Sequence, residues 1–152
     1  MILYSDKIRA EYTLLELRRS HGHLLFRRQR TKWFYEGRPN IIDHNIDIFF
    51  YGVTFLNTGL LFWGINIEVI KKEARFLAGL TAKVDYPQTL FKLTDTEGLT
   101  CYIDAAGFKV FHNNYDVGIG YNHSILCDPT WSASNNLIYS SKNDVEAFRK
   151  TL

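Results

Sequence analysis

Between Asp47 and Ile70 the chain carries two apolar runs, rich in β-branched and aromatic residues, separated by Asn57-Thr58-Gly59. Runs of this kind around a short glycine-containing break are the pattern of a β-hairpin. Placing Phe55 opposite Leu61 continues the register as Val53 with Trp63, Tyr51 with Ile65 and Phe49 with Ile67. One face of the ribbon is then wholly apolar. The same register sets Gly52 opposite Gly64, leaving a dent where a sheet can bend or another backbone can approach. Asp47–Ile70 is therefore expected to supply a central hairpin.

The rest of the chain supports a mainly β reading. Tyr12–Arg19 and Leu24–Thr31 form a second candidate hairpin, turning at Ser20-His21-Gly22-His23. The alternative for residues 5–19 is a helix capped by Ser5 or Asp6, which would make the fold α+β. Trp33-Phe34-Tyr35 continues the apolar material, and 36–40 reads as a turn. After a polar break at Lys71–Arg75 and a loop at Asp85-Tyr86-Pro87, short strands recur. These are Leu90–Leu93, Leu99–Ile103 and Phe108–Phe111, with turns at Asp95–Gly98, Ala105–Gly107 and Asn113-Asn114. Such spacing predicts an antiparallel meander. Val117–Tyr121 is interrupted by glycine, and Asp128-Pro129 with Ser132–Asn136 reads as loop. The C-terminus is helical: Ser141 or Asn143 is a candidate cap, Asp144 lies in the first turn, and Val145, Phe148 and Leu152 share a stripe. The expected fold is a curved antiparallel sheet or half-barrel with a C-terminal helix, in a single domain over residues 1–152.

The composition excludes some classes. With 46% hydrophobic, 15% aromatic and 22% charged residues, the chain is not expected to be disordered. No apolar run is long enough to span a bilayer as a helix, and the start lacks the charged and apolar regions of a signal peptide. Cys101 and Cys127 have neither disulfide-scaffold nor metal-site spacing. A cytoplasmic protein with two reduced thiols is the expectation.

Net charge is +2 but unevenly spread. Residues 1–40 hold nine Lys and Arg against four Asp and Glu, while residues 41–152 hold nine against twelve. A basic face from the N-terminal part attracts an acidic partner or a phosphate backbone, or simply protects a strand edge. Arg18, Arg19, Arg27, Arg28 and Arg30 are the candidates for partner contact, since arginine pairs with carboxylates through two donors at once. Arg27, Arg28 and Arg30 leading into Trp33 also suit a nucleic-acid backbone with stacked bases. His21 and His23, with Asp43 and His44, could serve as general base or metal ligands, or as solubilising turn residues. Asp95, Glu97, Asp104 and Asp116 lie near successive turns, where isolated acids are ordinary turn formers. Nucleophile-elbow, phosphate-loop and dinucleotide motifs are missing. No metal and no cofactor is expected.

The segments Asp47–Asn57 and Leu60–Ile67, with Gly64-Ile65-Asn66-Ile67, resemble a strand pair of small bacterial immunity proteins, including those of contact-dependent growth inhibition systems. The likeness covers about 25 of 152 residues. It implies a small cytosolic β-rich or α+β protein without an active site, which binds and occludes a cognate toxin. Many immunity proteins against nucleases are strongly acidic, and this chain is slightly basic. The alternatives are a nucleic-acid-binding β module and, third, a small enzyme using turn histidines.

Overall fold

The structure is a computed structural model and describes residues 1–35, 38–57, 61–71, 89–117 and 124–151. Its strands are β1 (Ile2–Arg18), β2 (His23–Arg28), β3 (Thr31–Tyr35), β4 (Arg38–Ile42), β5 (Asn45–Tyr51), β6 (Phe55–Asn57), β7 (Leu61–Ile70), β8 (Thr89–Thr94), β9 (Thr100–Ala105), β10 (Gly107–Asn113) and β11 (Asn136–Ser140). Two short α-helices follow β10: α1 (Pro129–Ser134) and α2 (Lys142–Lys150). Nine strands form one antiparallel sheet in the order β11-β10-β5-β2-β1-β7-β8-β9-β6, which does not close on itself. β3 and β4 form a separate ribbon.

The sheet is strongly curled. β5 and β8 are four ladder steps apart, about 19 Å in a flat sheet, yet the rings of Phe50 and Phe91 lie 5.8 Å apart. Phe108 of β10 meets Phe91 at 5.4 Å, edge to face. The sheet thus wraps its inner face around one core, with Phe26, Ile48, Phe62, Ile67, Ile103 and Val110 among its members. Val145 and Phe148 of α2 pack against the same cluster, as the helical stripe predicted. Leu152 lies outside the described residues.

The mainly β expectation and the β1–β2 hairpin hold, but its second arm is His23–Arg28 and Thr31 begins β3: Tyr12 faces Arg28 and Arg18 faces His23, with Gly22 left-handed in the turn. The N-terminal helix does not form, because β1 runs unbroken from Ile2 to Arg18 and has neighbours on both sides. The central hairpin is overturned. β5 lies between β2 and β10, and β7 between β1 and β8, so the segments that carry the immunity-protein resemblance are not partners. The cause is at Gly52, whose φ is +62°. There the chain leaves the line of β5: Val53 N–H donates to Gly22 O and Thr54 N–H to Asp104 O, and β6 then pairs with β9. Gly52 faces Ala106, and Gly64 faces the backbone of Asp6 and Ile8, so each glycine admits a close neighbour, but not the other. The loop residues Thr58 and Gly59 are outside the described residues.

The meander is also corrected. β8 and β9 form a hairpin, but at Ala106 the chain bends and β10 joins β5 and β11 instead. Two other segments differ. The loop expected after Asp128 contains α1, because the Asp128 carboxylate accepts from Thr130 N–H at 2.8 Å and Pro129 suits the first helical position. At the C-terminus neither Ser141 nor Asn143 caps α2 through its side chain. Ser141 Oγ accepts from Phe108 N–H at 2.8 Å, fastening the helix start to β10. Within 36–40, strand β4 begins at Arg38, and 36–37 lie outside the described residues. So do the polar break beyond Lys71, the loop at Asp85–Pro87 and residues 118–121.

Gly52→Ala is expected to cost more than Gly98→Ala. Both positions have positive φ, a strain of roughly 1–2 kcal/mol for alanine. A Cβ at Gly52 would also sit 2.7 Å from the Ala106 Cβ, whereas at Gly98 it meets open space. Urea midpoints of the two variants, compared directly, check the ordering.

Candidate functional site

Adjacent residues of a strand point to opposite faces, and residues directly opposed across strands share a face. Those two rules separate Arg27 from Arg28. On the outer face, Thr13, Arg27, Asp47 and Phe111 form one row across β1, β2, β5 and β10. Arg27, 1% exposed, meets Asp47, fully buried, through two parallel bonds: Nε to Oδ1 at 2.6 Å and Nη2 to Oδ2 at 2.7 Å. The segment after β10 folds over this pair. Trp131 Nε1 and Asn113 Nδ2 both donate to Asp47 Oδ2, at 2.7 and 2.8 Å. Arg27 Nη1 donates to the Tyr115 carbonyl at 2.6 Å, which also accepts from Asn45 Nδ2 at 2.7 Å. Tyr115 hydroxyl donates to Asp128, and together with the Thr130 amide this holds that carboxyl below its usual range. Leu25, Ile125 and Trp131 make a small apolar cluster beside the network.

On the inner face, Tyr12, Arg28, Ile46, His112 and Asn136 form a row across β1, β2, β5, β10 and β11. The next row inward, Leu14, Phe26, Ile48, Val110 and Tyr139, belongs to or packs on the core. The curled sheet therefore has one polar end. Arg28, 5% exposed, pairs with Asp6, which also accepts from the Tyr12 hydroxyl at 2.6 Å. Burial, then the neighbouring Tyr4 and Asp6, push the Tyr12 phenol well up. Arg28 Nε is buried without a hydrogen-bond partner among the described residues. Just before β5, His44 lies against His112, with ring centroids 4.8 Å apart and the rings tilted by 58°. Both line a cleft of about 340 Å³ with Asp43, Asn113, Asn114, Ser134 and Asn136. Burial, His112 and Arg28 together lower the His44 pKa, against the pull of Asp43.

The five arginines expected to make one basic face are dispersed by this geometry. Arg27 and Arg28 are interior and paired with carboxylates. Arg30, partly exposed, pairs with Asp116. Arg18 donates to Cys127 Sγ at 2.7 Å, and Arg19 is exposed in the turn before β2. Trp33 lies in β3, and its side chain is outside the description. His21 and His23 sit 5.7 Å apart at the far end of β2 from Arg28, with His23 edge-on to Phe49, so they do not join His44. The acids do not converge either: Asp95 caps its own turn by accepting from Glu97 N–H and Leu99 N–H, while Asp116 holds Arg30.

Sequence reading missed His112, Asn113 and Trp131. Their signal is weak, because each matters through its cross-strand or cross-layer neighbour. Asp47 was missed as well, although a charge inside an apolar strand is a local signal that could have found it. The cleft contains acid–base groups but no free nucleophile among the described residues, since Ser134 Oγ donates to the Trp131 carbonyl at 2.8 Å. Among the described residues, no group of three or more His, Cys, Asp or Glu could hold a metal ion. No described helix is long and apolar enough to cross a membrane. Comparison with family models, curated proteins and solved structures finds no match.

Asp47→Asn leaves a guanidinium buried without its counter-charge and is expected to cost about 3–5 kcal/mol. Arg30→Ala, at the exposed and solvent-screened pair, should cost far less. Denaturant unfolding distinguishes the two. Burial lowers the His44 and His23 pKa values on folding, so the unfolded chain binds more protons in the imidazole range. Stability should therefore fall as pH drops from about 7 to 5.5, and His44→Gln should flatten part of that slope.

Proposed function

We propose that this chain is a non-enzymatic binding protein that neutralises a cognate antibacterial toxin domain by covering its active site. The observation that supports a protein partner is edge strand β11. Its sequence Asn-Leu-Ile-Tyr-Ser contains no charge and no proline, the usual guards of an exposed strand edge. Leu137 and Ile138 are 56% and 47% exposed on it. An edge of this kind can receive an extended segment through main-chain bonds, with side chains giving specificity. Leu137 lies opposite Phe111, so such a segment would sit beside the Arg27–Asp47 network and reach the cleft at Asn136.

The pairing of Arg27, Arg28 and Arg30 with carboxylates weighs against a basic face as the interface, and against the nucleic-acid alternative that relied on the same residues. The family resemblance was to a strand pair, and the two segments that carry it are not neighbours in the sheet, so only the likeness of their sequences supports this reading.

The test is growth protection on co-expression with a toxin domain encoded by the neighbouring gene, with binding measured by calorimetry. The wild-type chain should protect and bind. The double variant Leu137→Glu, Ile138→Lys should bind about 10–100-fold more weakly while its melting temperature changes little, because both side chains are exposed. Protection and affinity equal to wild type would remove β11 from the interface. Absence of binding to that toxin would remove the reading.

A further inference from the structure

The cleft at the polar end of the curled sheet is a second feature, independent of the toxin-neutralising reading. We propose that it binds a phosphate group, held between the imidazoles of His44 and His112, with Arg28 contributing positive charge from the row behind them. Three observations carry this. The two rings are 4.8 Å apart and both line the cleft, so nitrogens of each can donate to different oxygens of one tetrahedral anion. Arg28 lies in the same lateral row as His112, separated from it by Ile46, and its charge acts on His44. Its buried Nε has no acceptor among the described residues, although Nη1 is satisfied by Asp6.

Charge decides between an anion and a metal ion. A cation bound by two neutral imidazoles would face the Arg28 guanidinium, with Asp43, exposed at the rim, as the one carboxylate lining the cleft among the described residues. An anion instead gains from Arg28 and from protonation of either imidazole, and such charge-assisted bonds are the stronger kind. Asn114 and Asn136 offer amide donors nearby. The mouth of a curved sheet is a common place for a small-ligand site. The groups that set its pH response are His44, His112, Asp43 and Arg28, with Asp6 paired to Arg28 and offsetting part of its charge. Bound phosphate opposes the effects that now lower the His44 pKa, and so raises it.

The experiment is a titration of the free chain with inorganic phosphate near pH 6.5, the ordinary imidazole midpoint, at ionic strength held constant with sodium chloride. Imidazole resonances are followed by NMR. His44 and His112 should shift saturably and their titration midpoints should rise. His21 and His23, at the other end of β2, should behave as in chloride alone. In His44→Gln, His112→Gln, the phosphate concentration that half-saturates the rise in melting temperature should increase about tenfold or more. The proposal is overturned if His44 and His112 do not respond, if His21 and His23 respond equally, or if the folded double variant gains melting temperature from phosphate as the wild type does. Should the double variant fail to fold, the wild-type resonances alone decide between binding and no binding.

Discussion

The pair between Arg27 and Asp47 ties the sheet to everything laid over its outer face. Two ions removed from water cost several kcal/mol each unless their remaining bonds are filled. Here they are filled from three directions. Asp47 Oδ2 accepts from Arg27, Asn113 and Trp131, and Arg27 Nη1 finds the Tyr115 carbonyl. The strand pair β2–β5 thus dictates where the segment after β10 must lie, and through Trp131 where α1 must lie. The helix has only six residues and could not persist on its own propensity. Its position comes from an indole held by a carboxylate on the sheet.

The same geometry disperses arginines that composition alone would gather on one face. A cluster of positive residues in sequence becomes a surface only if its side chains point one way. Alternation along β2 sends Arg27 to the outer face and Arg28 to the inner one, and each meets an acid brought from elsewhere in the chain. Part of the uneven charge between the first 40 residues and the rest is matched by pairs across that division, Arg27 with Asp47 in the interior and Arg30 with Asp116 at the surface.

What could be read from the sequence follows from the range of the signals. The β1–β2 hairpin was legible because its turn is local, with Gly22 free to take a left-handed conformation. Helix α2 was legible through its Val145 and Phe148 stripe. The neighbours of β5 and β7 were not. Both strands carry large apolar residues on two faces, and nothing local says which of several apolar strands lies beside them. Gly52 carried a correct hint of a bend, but the partner that fits against it, Ala106, is more than fifty residues away. The polar end was hidden for the same reason: Tyr12, Arg28, His112 and Asn136 become one row only after five strands are in register.

Consecutive arginines with separate acids also have a consequence for errors in folding. An apolar strand such as His23–Arg28, with Leu24, Leu25 and Phe26 on both of its faces, could slide by one residue against β5 and still bury hydrocarbon either way. The slide would turn Arg27 toward Phe26's side of the sheet and Arg28 toward the indole of Trp131, stranding both cations away from Asp47 and Asp6. Greasy side chains alone would tolerate the mistake; the two charges make it conspicuous. They act as a proofreading device, accepting one alignment of the strand and rejecting its nearest counterfeit.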